Sequence, residues 1–202
     1  MNEPFLAYMK ENLGPDTVLI ACGLPASYKT ETTEIIAGLH GYTILRTDLI
    51  RREVLANEDI FDEKVASNMD KRKMVYDEMF RQADELAAGG KGVILDATFV
   101  LQSLRRRAAK VAADHGKTLV IQQTSCPRET SIARIMRRTK ENYESNALTA
   151  QAYDNNVAKF DAVDLDDLKA LHPDLRVVHL TVDTTSDEKT GAEWRVVGRR
   201  EA

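Results

Sequence analysis

The sequence predicts an α/β domain with a mainly parallel sheet covered by helices on both faces, a three-layer α/β/α arrangement. Three observations carry this. Short apolar runs recur between helix-like segments, in the order strand then helix. The runs are mostly apolar throughout rather than alternating, as in parallel strands buried on both faces. The first of them, TVLIACG from Thr17, leads straight into Gly23-Leu24-Pro25-Ala26-Ser27-Tyr28-Lys29-Thr30, which fits the spacing G-x-x-x-x-G-K-[ST] at every position except Tyr28.

Taken in order, residues 5–13 (FLAYMKENL) read as a short helix at the domain edge. The strand at Thr17 follows, then a helix from Thr30 to about Leu39 and a second strand from Tyr42 to Arg46 that ends at Thr47-Asp48. A helix is expected from Glu63 to Ala88, stopping at Gly89-Gly90. Its stripe of Val65, Met69, Met74, Val75, Met79, Phe80, Ala83 and Leu86 is expected in the core. A third strand, Gly92 to Asp96, ends on a carboxylate, and Phe99 to His115 is a helix carrying Arg105, Arg106 and Arg107, which fan out over different faces. At most one or two of these arginines can face a site; the rest are expected in solvent. Lys117 to Gln123 makes a fourth strand and Arg128 to Arg138 a helix. A polar loop and a helix from about Leu148 to Phe160 come next, and Leu175 to Val182 is the fifth strand. Residues 184–202 show no period and are expected as a partly ordered tail anchored by Trp194.

At 202 residues the chain suits one domain. The 28 Lys and Arg against 32 Asp and Glu give a formal charge of -4, which supplies no global pull toward nucleic acid. Cys22 and Cys126 sit in or beside apolar segments and read as small core residues in a reducing cytoplasm rather than a disulfide framework. Neither a signal peptide nor an apolar run of membrane-spanning length is found. His40, His115, His172 and His179 have no metal-ligand spacing, which disfavours a metal hydrolase. The first turn also lacks G-x-G-x-x-G, which disfavours dinucleotide oxidoreductase chemistry.

In a loop of the 23–30 kind, backbone N–H groups and a helix N-terminus surround phosphates, while a lysine reaches the β and γ groups and a hydroxyl holds magnesium. Lys29 and Thr30 have those chemistries. Glycine is expected where the backbone turns sharply against the ligand, so Ala26 and Tyr28 put side chains where little room is expected. Tyr28 either narrows the cradle or stacks beside the ligand. Asp48 is either a site carboxylate at the end of the second strand or a cap on a helix over Leu49 to Leu55.

The stretches CGLPASYKT, RTDLIRREV, GVILDATFVLQSLRRRAAKVAADHG, SCPRETSIARIMRRTKENYESNALTAQ and HLTVDTT occur in the order found in a family of small P-loop kinases. Over about residues 17–185 the chain resembles the AAA-type ATP-binding kinase-like proteins related to phage polynucleotide kinase, zeta toxins and chloramphenicol phosphotransferase. The resemblance implies a P-loop NTPase fold of the nucleoside-kinase type, with five parallel strands in the order 2-3-1-4-5. It also implies transfer of the ATP γ-phosphoryl to a hydroxyl, with Mg2+ and ATP bound.

By the same resemblance, Gly23 to Thr30 hold the nucleotide. Thr30 and Asp96 hold the metal, and Asp48 orients or deprotonates the acceptor. Arg51, Asp96 and Thr98 line the acceptor side, and Arg134 and Arg138 clamp phosphate from a lid at about 134–150. Ser145-Asn146-Ala147 stands where family lids usually carry Ser-Asp-Ala, which removes one carboxylate. Cys126-Pro127 falls where relatives place part of the adenine pocket, and Asp183-Thr184 is expected to be structural. The expected function is an ATP-dependent phosphotransferase acting on a small molecule in preference to nucleic acid. The alternative is an ATP-binding protein with a degenerate loop and a regulatory or structural role, which Tyr28 keeps open.

Overall fold

A computed structural model of the chain describes residues 1–58, 65, 68–137 and 149–202. Its centre is a run of five parallel strands: β2 (Thr17–Gly23), β3 (Thr43–Arg46), β4 (Val93–Asp96), β5 (Thr118–Ser125) and β6 (Val177–Asp183), lying side by side as β3-β4-β2-β5-β6. The sheet does not stop at five strands. β7 (Arg195–Glu201) pairs antiparallel with β6, and the short β1 (Glu3–Pro4) pairs antiparallel with β7, giving seven strands. The expected five-stranded sheet with a partly ordered tail is thereby corrected: the chain end is an integral strand. Its sequence, RVVGRRE, is too polar to read as a buried strand because it lies near the sheet edge, where one face meets solvent.

Helices cover both faces because side chains alternate across each strand. On one face Val18, Ile20 and Cys22 of β2, with Leu119 and Ile121 of β5, pack under α4 (Met69–Ala88), α5 (Gln102–Asp114) and α8 (Leu165–Leu171). On the other, Leu19, Val120, Val178 and Leu180 pack with α1 (Phe5–Asn12) and α2 (Lys29–His40). Each fully buried aliphatic side chain contributes about 1.5–3 kcal/mol. The methionine stripe of α4 is only partly core. Val75, Met79, Phe80, Ala83 and Ala87 are buried, whereas Met69 and Met74 project to solvent, because the buried face follows the 75-79-83 spacing and leaves them on the outer side. Asn68 starts this helix by accepting the N–H groups of Asp70 and Lys71.

The α5 arginines also take structural roles. Arg105 is fully buried and donates to the carbonyl oxygens of Phe99 and Ala162, both at 3.0 Å. Arg106 pairs with Asp167, and Arg107 pairs with Asp77 over the Phe80 ring. Helix α5 begins at Gln102 rather than Phe99 because Phe99 is left-handed, with φ of 44°. The remaining helices are α3 (Thr47–Val54), α6 (Arg128–Met136) and α7 (Ala150–Ala158), which follow or flank the C-terminal ends of the parallel strands. Arg138 and Ser145 to Ala147 lie outside the described residues. Among those described, no helix is long and apolar enough to cross a membrane. Cys22 and Cys126 are both free thiols; Cys22 is buried and Cys126 half-buried.

Trp194, fully buried just before β7, packs edge-on against Phe5 and stacks on Tyr28. Trp194→Ala is expected to cost about 3–5 kcal/mol, read from the midpoint of urea unfolding at unchanged slope. His179 on β6 is pushed down from 6.5 to about 4 by burial, then by the charges of Arg200 and Arg105. Between those values the unfolded chain binds a proton that the folded chain refuses, so His179 stabilises the fold fully above pH 6.5 and progressively less as the pH falls toward 4. Unfolding free energies measured across that window should fall less steeply for His179→Asn than for the native chain.

Candidate phosphate-binding site

Residues 23–30 join the end of β2 to the start of α2, and two non-glycine residues take left-handed turns within them. Gly23 has φ of 143°, and a Cβ there would stand 2.7 Å from both Thr124 O and Thr124 Oγ1. Ala26 and Tyr28 are left-handed, with φ of 61° and 56°. Together with Phe99 they are the only non-glycine residues of positive φ among those described, and all three adjoin this loop or the neighbouring β4–α5 connection. A left-handed non-glycine costs about 1–2 kcal/mol, so surrounding contacts must hold each one.

Those contacts turn both side chains out of the cradle. Ala26 packs with Ile135 and Tyr153 of α6 and α7. The Tyr28 ring lies between the Trp194 ring, with centroids 5.6 Å apart, and the Arg134 guanidinium, whose central carbon is 3.8 Å from the ring centre. The phenol also donates to Asp187 at 3.3 Å, and burial pushes its pKa up. The Tyr28 ring thus belongs to the core on the α1–α2 side.

Inside the loop, Ser27 Oγ donates to Leu24 O at 2.7 Å and shares a 2.7 Å hydrogen bond with Thr124 Oγ1. Lys29 Nζ donates to Leu24 O at 2.7 Å, which draws the ammonium back across the loop. Thr30 Oγ1 donates to Asp96 Oδ2 at 2.8 Å. Asp96 pairs in register with Ala21 of β2 and Arg46 of β3, which sets its carboxylate at the strand ends beside the loop. Burial pushes its pKa up, opposed by the Thr30 hydrogen bond and by the charges of Lys29 and Arg46, whose Nε is 3.8 Å from Oδ2. A hydroxyl and a carboxylate oxygen at this separation are the hard ligands magnesium takes, so Thr30 and Asp96 fit that ion.

Asp48 sits in the first turn of α3, whose N-cap is Arg46, and Oδ1 accepts from Arg51 Nη1 at 3.1 Å. Its charge is close enough to raise the Asp96 pKa further. Thr98 O accepts the Gly23 N–H at 3.2 Å, and the Thr98 side chain bonds Tyr76 of α4, near Arg72, Arg51 and Asp48. Arg46 and Tyr76 were not expected here. Arg46 carried a signal, as the last residue of a strand two before Asp48; Tyr76 had none, being one aromatic in a long amphipathic helix.

Arg134 has a different place from the expected lid. It is buried, and its donors go to Asp187 Oδ1 (2.9 Å) and to the carbonyls of Ala26 (3.1 Å), Thr184 (2.8 Å), Thr185 (3.0 Å) and Ser186 (3.1 Å). It therefore ties the segment after β6 to the loop. Its hydrogen bond, with that of Arg137, holds Asp187 down at about 2. Thr184 does related work, with Oγ1 donating to Ser27 O at 3.0 Å.

The matching family model covers residues 18–163 and is described as an AAA domain; the chain belongs to that family. No curated protein matches it. Among solved structures, the chain is similar to a gluconokinase from Sinorhizobium meliloti 1021, with a TM-score of 0.59 at 15% identity over 88% of this chain and 87% of that one. A sugar kinase from Janibacter sp. HTCC2649 gives a TM-score of 0.57 at 15% identity, covering 83% and 86%. The PezAT toxin–antitoxin system of Streptococcus pneumoniae gives 0.52 at 14% identity, covering 88% and 77%. At such identities the likeness shows the fold alone.

Tyr28→Gly relieves the left-handed strain but removes a buried ring, so it should destabilise by about 2–3 kcal/mol net. Tyr28→Phe, which keeps the stack, should stay within about 1 kcal/mol. Thermal unfolding of the two variants side by side checks the order.

Proposed function

We propose that this protein transfers the γ-phosphoryl of ATP to a hydroxyl of a small-molecule acceptor. The observation that carries the reading is the convergence of Lys29, Thr30 and Asp96 on one end of the sheet, with the Asp48–Arg51 pair beside them. Backbone N–H groups of residues 26–30 receive the phosphates. Lys29 exchanges its bond to the neutral Leu24 O for stronger bonds to the anionic β and γ oxygens. Thr30 and Asp96 would hold a magnesium ion, which would supply charge neutralisation of the phosphate oxygens.

Asp48 accepts the proton of the attacking hydroxyl and holds that oxygen in line with the transferred group. Arg51 receives an anionic part of the acceptor, and Thr98 steadies its position. Arg138 keeps the lid role of clamping phosphate, whereas Arg134, with its donors committed to the segment after β6, acts as a brace. Positioning and fixed charge then supply most of the rate. The degenerate-loop alternative rests on Tyr28 obstructing the cradle, and the packing of its ring against Trp194 and Arg134 favours the active reading over it.

Transfer from γ-labelled ATP across pools of sugars, sugar acids, nucleosides and amino alcohols tests the reading. Lys29→Ala should weaken ATP binding by about 10- to 100-fold, the loss of a charged hydrogen bond. Asp48→Asn should leave ATP binding nearly intact and lower kcat by about 10²- to 10⁴-fold. Native protein that fails to bind millimolar ATP, or an Asp48→Asn variant of full turnover, would overturn it.

A further inference from the structure

At the end of the sheet opposite the phosphate loop lies a cavity of about 190 Å³, enclosed by α1, the turn after it and the starts of β5 and β6. β5 runs from Thr118 beside this cavity to Thr124 beside Gly23, so about 20 Å separates the two places. The volume lies below the usual range of drug-sized sites, so only a small molecule fits.

Its floor is apolar. Side chains alternate across a strand, so Val120 of β5 and Val178 and Leu180 of β6 present one face to α1, where they share a cluster with Tyr8. Its rim is charged. Arg176, immediately before β6, donates through Nε to Glu201 Oε1 at 2.6 Å, and Arg199 of β7 donates through Nη2 to Glu201 Oε2 at 2.5 Å. Glu201 thus holds the two guanidinium groups side by side, and their other nitrogens have no hydrogen-bond partner among the described residues. Two cations and one anion leave a single positive charge at the rim. Asp16, also on the lining, is balanced by Lys117, whose Nζ lies 3.9 Å from its Oδ1.

Tyr8 supplies the feature that points to a ligand. It is only 4% exposed and lines the cavity, yet its hydroxyl has no hydrogen-bond partner among the described residues. Buried polar groups are ordinarily paired. Burial pushes its pKa up and Arg199 pulls it down; Glu3, outside the lining, and Glu201 push it up again, so the phenol stays protonated and can donate. A waiting donor, a net positive rim and an aliphatic floor suit one anionic group on an apolar body. We infer that this cavity binds a small monocarboxylate, its oxygens on Tyr8, Arg176 and Arg199 and its hydrocarbon part over Val178 and Leu180. A carboxylate matches the single surplus charge and the planar guanidinium fork, whereas a phosphate dianion exceeds that charge. The ligand would bridge α1 and β7, the elements that hold Phe5 against Trp194, and so stabilise the fold by mass action. This inference does not rest on phosphoryl transfer, and its test uses no nucleotide.

Saturation-transfer NMR and thermal unfolding of the native chain test it, with a pool of short aliphatic and aromatic monocarboxylates as probes and their primary amides and inorganic phosphate as controls. An acid of the pool should show transfer to its C–H protons and raise the unfolding temperature, while its amide and phosphate do neither. Tyr8→Phe removes only the unpartnered hydroxyl, so it should fold like the native chain and bind the acid about fivefold more weakly. Arg199→Gln should weaken the same acid about tenfold or more, as expected for a lost charge-assisted bond. No transfer from any acid at millimolar concentration, equal binding of the amide or of phosphate, or acid affinity unchanged in both folded variants would overturn the assignment.

Discussion

The stack of Trp194, Tyr28 and Arg134 holds the phosphate loop in shape. A tyrosine at the last turn before Lys29 should resist the left-handed conformation that the loop demands, at about 1–2 kcal/mol. Burial between an indole and a guanidinium more than offsets this, since aromatic and cation–π contacts add to the area buried. The loop thus borrows its rigidity from residues far away in sequence, where a glycine would have supplied conformational freedom alone.

That dependence explains the extra strands. Trp194 reaches Tyr28 because β7 pairs with β6 and β1 pairs with β7, which fixes the chain on either side of it. Arg134 closes the arrangement from the opposite side by binding three successive carbonyls of residues 184–186 and the carbonyl of Ala26. The C-terminal segment, α6 and the phosphate loop are therefore one mechanical unit. A nucleotide on the loop would meet a surface already organised, which lowers the ordering cost of binding.

The apolar strands, the loop and the order of helices could be read from the sequence because buried parallel strands and the 23–30 spacing are local signals. Asp48, Asp96 and Thr98 could be placed for the same reason, each at or just past a strand end. Side-chain direction was not visible. Tyr28 looked obstructive because nothing near it in sequence announces Trp194, and Arg134 looked like a phosphate clamp because its acceptors are backbone carbonyls 50 or more residues away. The polar strand β7 escaped for a related reason: its pairing is set by β6, while its own pattern resembles a tail.

A crystal structure of the protein grown with magnesium and a non-hydrolysable ATP analogue tests the central claim most directly. The account predicts triphosphate inside residues 23–30, Lys29 moved from Leu24 O to the phosphates, and the Tyr28 ring still between Trp194 and Arg134. A Tyr28 ring swung into the cradle, or triphosphate bound elsewhere, would contradict it.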